Sequence, residues 1–250
     1  MLSAKLVTLI AVFFLTSVVS VVTGSTSLIT VPVMIAMAIE AHVAIATNML
    51  ALTLMSFGGS LPFLGKGVIR QDRLPASIAL TIVGSAMGAA LLLSVPLRAL
   101  RIIVGAAMIA VLSFSIRHPQ LGVEENRPSP SQTTVISGYA VTFLLGVYGG
   151  FFSGGYVTLL TSTFVVLFGM SFLQAVATTK VINLFSSGIA SVVFLWRGAI
   201  DLKLGLALGI AMFFGALVGG RLTLHLSAVW LRRIFIVAVV ALAAKMFWLW

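Results

Sequence analysis

The chain is 250 residues long, 60% hydrophobic and only 8% charged, with a mean hydropathy of +1.21. Soluble domains carry about 25% charged residues, so this chain has no water-facing surface to speak of and reads as a polytopic membrane protein in contact with the lipid bilayer. Its net charge of +10 sits at the ends of apolar runs, where cations anchor helices, which argues against a nucleic-acid partner; the lack of cysteine excludes disulfides, thiolate metal sites and cysteine catalysis.

Apolar runs cover about residues 6–22, 27–39, 42–57, 75–95, 99–116, 135–152, 156–169, 172–195, 204–224 and 230–249. We read them as eight to ten helical segments of an all-α fold. The first run follows Lys5 and resembles a secretory leader. No small-x-small cleavage pattern closes it, and a counterpart recurs at 137–152, so a retained first span is expected. Runs 27–39 and 156–169 are only about 13 or 14 residues, too short at 1.5 Å per residue to cross a roughly 30 Å hydrocarbon core. They read as half-helices that begin at two glycine breaks, Thr23-Gly24-Ser25-Thr26-Ser27 and Ser153-Gly154-Gly155-Tyr156.

Most loops are short. The substantial polar linker runs from Arg117 to Thr134 and holds two of the five acids and three of the seven prolines. It marks the boundary expected between a first transmembrane repeat at 1–118, a linker at 119–134 and a second repeat at 135–250. The halves match at a constant offset of 131 residues: Gly24 with Gly155, Thr30 with Thr161, Thr47 with Thr178, Gly67 with Gly198, Gly84 and Gly88 with Gly215 and Gly219, Arg101 with Arg232. Glycine, threonine and arginine in one register indicate a two-fold internal repeat. Its sense is open. An even number of crossings per half divides the flanking cations nine to five between the faces, which suits parallel repeats by the positive-inside rule. An odd number divides them eight to six and inverts the repeats. Only inversion brings Gly24 and Thr178 to a similar depth.

The residues that could carry chemistry cluster at the breaks. In hydrocarbon a broken helix is tolerated only where it is buried in protein or lines a wet cavity. Paired breaks in two repeats are a pointer to a transporter site. Gly24, Ser25, Thr26, Ser27, Ser153, Gly154, Gly155 and Tyr156 would surround exposed helix starts, whose free N–H groups and partial positive charge attract anions. The competing reading is that they permit a kink against a neighbour. Ala46-Thr47-Asn48 and Ala177-Thr178-Thr179-Lys180 follow in each half. Lys180 is a cation well inside an apolar run, which marks either an anion site or a side chain snorkelling to the surface. Asn48 and Asn183 add amides that could equally bridge helices. The Gly84-x-x-x-Gly88 and Gly215-x-x-x-Gly219 patterns read as close helix packing.

All five acids lie in turns or loops. No carboxylate is placed to bind a metal cation or relay protons at depth, and no cofactor is implied. Three histidines near loops, without a serine elbow or zinc-ligand spacing, leave an intramembrane enzyme as a weak competitor. A secondary transporter of a small anion and a passive anion channel remain the leading classes. Oligomeric state is not legible.

At these residues the chain resembles the sulfite exporter TauE/SafE family, also called the toluene sulfonate uptake permeases. The likeness covers nearly the whole chain. It rests on the glycine break after the first span, the Ala-x-Ala-Thr segment, the turn Trp196-Arg197-Gly198-Ala199-Ile200-Asp201, and the Gly-x-x-x-Gly helix before Leu231-Arg232. The resemblance implies a multi-pass permease of the bacterial cell inner membrane that moves sulfite, a sulfonate or sulfoacetate by secondary transport. Two departures bear on substrate choice. The first break is poorer in glycine than the family's double-glycine form, and Tyr156 stands where a smaller residue is usual.

Overall fold

A computed structural model describes residues 2–24, 26–96, 99, 130–226 and 230. The helices expected over 99–116 and 230–249, apart from positions 99 and 230, lie outside the described residues, as do Ser25 and most of the linker. Among the described residues there are eight α-helices and no strand: α1 (Leu2–Thr23), α2 (Ser27–Ala36), α3 (Ala41–Ser60), α4 (Leu74–Ser94), α5 (Gln132–Phe151), α6 (Tyr156–Leu167), α7 (Phe172–Trp196) and α8 (Leu202–His225). All but α2 and α6 are long and apolar enough to cross a membrane.

Local chemistry explains where the helices begin. Glu40, Ser131, Ser171 and Asp201 cap α3, α5, α7 and α8, each accepting from a backbone N–H in the first turn. At α7 the cap is reciprocal, since Gln174 Oε1 accepts from Ser171 N at 3.1 Å. The two short helices differ. Neither α2 nor α6 has a side-chain cap, and each follows a glycine in the left-handed region, Gly24 at φ 70° and Gly155 at φ 77°. Left-handed φ values recur at the same spacing beyond the breaks, at Ala38 and Gly169 and at Gly67 and Gly198.

Contacts set the helix directions. On α8, Gly215 and Gly219 abut the Phe14 and Val18 carbonyls of α1 in ascending order, so these helices run parallel. In the same way Gly84 and Gly88 of α4 abut the Phe143 and Val147 carbonyls of α5. Gly205 and Gly209 of α8 face Thr47 and Ala51 of α3, again in parallel. By contrast α3 and α7 are antiparallel: Thr53 meets Ser191 at 3.2 Å, while Ser56 accepts from Asn183 at 2.5 Å. Helix α2 is antiparallel to α3, with Thr26 on Met55 and Thr30 on Asn48. The chain therefore ascends α1, reverses at the first break, descends through α2 and ascends α3. The glycine-lined contacts join elements from opposite sides of the linker, α4 to α5 and α8 to α1.

These contacts refine the register expected from sequence. Phe14 and Val18 correspond in packing to Phe143 and Val147, an offset of 129. Gly24 and Gly155 restore the offset of 131, so the second break is longer by two residues.

The core mixes large apolar side chains such as Phe13, Phe63 and Phe164 with many buried hydroxyls. Large apolar side chains such as Val7 (65% exposed), Leu144 (64%) and Trp196 (84%) face outward, while serine and threonine hydroxyls are buried between helices. That distribution suits a lipid surround. Arg197 lies over the Trp196 ring at 5.8 Å, at the end of α7, a pairing suited to the membrane–water boundary.

Candidate functional site

The two breaks meet. A methyl group on Gly24 would lie 2.7 Å from Thr158 N and 2.8 Å from Val157 Cβ, so the first break packs directly on the start of α6. Thr158 Oγ1 donates to Thr23 O at 2.6 Å. Leu28, at the start of α2, packs against Gly154. The left-handed φ and the absent side chain are both required at Gly24, because Val157 leaves no room for a Cβ.

Lys180 reaches this junction from α7. Its side chain is 2% exposed and does not snorkel. Its Nζ donates to Ser20 O at 2.9 Å, a carbonyl that also accepts from Gly24 N at 2.9 Å. The ammonium therefore sits at the C-terminal end of α1, where the helix dipole favours a cation. An ammonium has three donors, and only this one bond is made among the described residues. None of the described carboxylates pairs with it.

The other expected residues are distributed as follows. Ser27 accepts from Asn48 Nδ2 at 2.9 Å, and Thr30 donates to Asn48 Oδ1 at 2.7 Å, so Asn48 staples α2 to α3. The corresponding pair in the other half is Thr161 and Thr179, 3.1 Å apart. Thr26 donates to Met55 Sδ at 3.5 Å. Thr47 accepts from Asp201 N at 3.0 Å, and Thr178 accepts from Arg70 N at 3.1 Å. These two threonines hold the turns that precede α8 and α4. Ser153 is buried, and its carbonyl accepts from Tyr156 N at 3.2 Å. The Gly154 carbonyl accepts from Tyr148 OH at 2.5 Å. The Tyr156 ring lies against Gly149 on α5. Thus Gly24, Gly154, Gly155 and Lys180 converge, Thr47 and Thr178 lie apart at the turns, and Ser25 is outside the described residues.

Sequence reasoning missed a stripe on α4. Ser77, Thr81 and Ser85 are all fully buried. Ser85 Oγ lies 2.7 Å from Ser186 Oγ of α7 and donates to Gly146 O at 3.0 Å. The signal available was the four-residue spacing of three hydroxyls on one helix face.

Outside the spans, the guanidinium of Arg70 hydrogen-bonds the Asp72 carboxylate at 2.9 and 3.0 Å and holds its carboxyl below the usual range. This pair is half exposed and contributes little to stability. Among the described residues no group of histidines and acids is arranged to hold a metal ion.

Buried hydroxyls, a buried lysine and, among the described residues, six helices long and apolar enough to cross a membrane define a multi-pass membrane protein. The chain belongs to the sulfite exporter TauE/SafE family, whose model matches residues 9–246. A probable membrane transporter protein of Sinorhizobium sp is 28% identical over 93% of this chain and 88% of its own length. One from Haemophilus influenzae is 27% identical over 95% of this chain and 92% of its own. The Escherichia coli K12 protein YfcA, also named a probable membrane transporter, is 27% identical over 90% and 83%. No solved structure matches the chain.

Proposed function

We propose that the protein is a secondary transporter of a small sulfur-containing oxyanion, of the sulfite, sulfonate or sulfoacetate class, across the bacterial inner membrane. The observation that carries this reading is Lys180: a buried ammonium without a described carboxylate partner, set where two uncapped helix starts meet. A cation at that depth is costly unless something neutralises it, and an anionic substrate does so. The antiparallel packing of α3 on α7 supports inverted repeats, one on each side of the linker. Rocking of one repeat against the other then gives alternating access.

Purified protein in proteoliposomes should take up or release labelled sulfite or sulfonate with saturation. Lys180→Met should abolish the saturable component. Absence of saturable flux for every sulfur oxyanion tested would reject the reading, and single-channel conductance in a planar bilayer would replace the carrier with an anion channel.

A further inference from the structure

The halves match in backbone but not in side-chain chemistry. Ser77, Thr81 and Ser85 make one buried stripe on α4, whereas the positions 131 residues on are Leu208, Met212 and Ala216 of α8, equally buried. Lys180, Asn183 and Ser186 of α7 correspond to Met49, Leu52 and Met55 of α3. At each of these six pairs of positions one member is polar and the other apolar.

The polar flank is also unsatisfied. Ser77 Oγ, Thr81 Oγ1, Tyr156 OH and Asn183 Oδ1 are buried and make no hydrogen bond among the described residues. All four lie on α4, α6 and α7. Helices α4 and α7 run parallel, since Arg70 meets Thr178 at one end and Ser85 meets Ser186 further along. One turn back from that second contact, Thr81 and Asn183 share a level. The Tyr156 ring lies on Gly149 of α5, next to Gly150, which abuts Ser85 of α4, so Tyr156 sits on the same flank as the α4 stripe. Unpaired polar atoms in a membrane interior are expensive; the residues that mirror Ser77, Thr81 and Asn183 are the apolar Leu208, Met212 and Leu52, and the four unpaired atoms call for a partner that the described chain does not supply.

We propose that these groups form a one-sided ligand subsite between α4, α6 and α7, where a small oxyanion accepts hydrogen bonds from the hydroxyls of Ser77, Thr81 and Tyr156. Asn183 lies beside them, and Lys180, one turn away on α7, supplies the charge. The proposal rests on the transport reading and places the substrate off the axis that relates the halves.

Titration calorimetry on the purified full chain, with sulfite and separately with methanesulfonate, tests it. Tyr156→Phe and Thr81→Val should each weaken binding about tenfold or more, the weight of a hydrogen bond to a charged ligand. Thr81→Ser should retain the affinity, and size-exclusion profiles show whether each variant folds. Unchanged affinity in both variants, with higher thermal stability, means that these atoms hold only water and overturns the subsite alone. No binding of either anion by the unsubstituted protein overturns the transport reading and the subsite together.

Discussion

Glycine at the contacts between α4 and α5 permits the helices to approach with backbone touching backbone, and a methyl group measures how much depends on it. A Cβ on Gly84 would lie 2.7 Å from Phe143 O and 2.9 Å from Val147 N. An ordinary contact begins near 3.4 Å, so α4 must move away by roughly 0.7 Å along that line. Backbone atoms cannot rotate aside, as a side chain could. A Cβ on Gly88 drives deeper still, into the Val147 carbonyl. Alanine gains about 1 kcal/mol of helix propensity over glycine, while overpacking costs roughly 1–3 kcal/mol and sometimes more. The net expectation is about 0–2 kcal/mol lost for Gly84→Ala and more for Gly88→Ala. Gly59 on α3 is the internal control, because its Cβ would make only ordinary contacts, with Ala216 Cβ at 3.4 Å, Val21 Cγ2 at 3.7 Å and Ala216 O at 3.9 Å. There the propensity gain should leave stability unchanged or slightly raised. Thermal unfolding of the detergent-purified variants should place Gly88→Ala several degrees below the parent, at roughly 2–4 °C per kcal/mol, with Gly59→Ala at or above it. A Gly88→Ala midpoint equal to the parent's would refute the close-packed geometry of α4 on α5.

Ala38→Gly should raise the midpoint modestly, because Ala38 holds φ 69° at a cost of roughly 1–2 kcal/mol that glycine avoids; a lower midpoint would argue that this turn is built differently. Thr47→Val and Thr178→Val should each cost about 1–3 kcal/mol, since each strands a backbone N–H, of Asp201 or Arg70, near the end of a span. Losses of similar size in the two variants are expected, and a large loss in only one would break the equivalence of the two turns.

The architecture was largely legible because its signals are local. Glycine and hydroxyl residues interrupting an apolar run are visible without tertiary information, and the breaks at Gly24 and Gly155 fall where the runs 27–39 and 156–169 begin. Helix direction was not legible, because hydropathy is the same read in either sense. It emerged from contacts such as Thr53 with Ser191. Hydroxyl roles were the least legible part. Thr142 and Thr223 are buried and satisfied by their own helices, donating to Gly138 O and Gly219 O at 2.8 Å. Thr81 is equally buried and makes no bond. A threonine on an apolar helix looks identical in all three cases, since what differs is the neighbour. Thr47 and Thr178 stood out for the right reason, their repetition, yet their hydroxyls anchor turns.

The two anchored turns bear on how the molecule could cycle. Thr47 lies two turns into α3 and Thr178 two turns into α7, and α3 and α7 are antiparallel. The bonds from Asp201 and Arg70 therefore close opposite ends of the bundle with the same chemistry. Like bonds at opposite ends favour neither end by themselves, so under the proposed alternating access a small differential interaction would decide which end opens. A ligand interaction, by contrast, would be needed once per cycle under the proposed transport reading and need not be duplicated. Backbone symmetry with one-sided side-chain chemistry, Lys180 against Met49 and Thr81 against Met212, is the arrangement that separates these demands. On the proposed transport reading, the matching backbones would supply two exchangeable states and the polar flank one place for the substrate to bind.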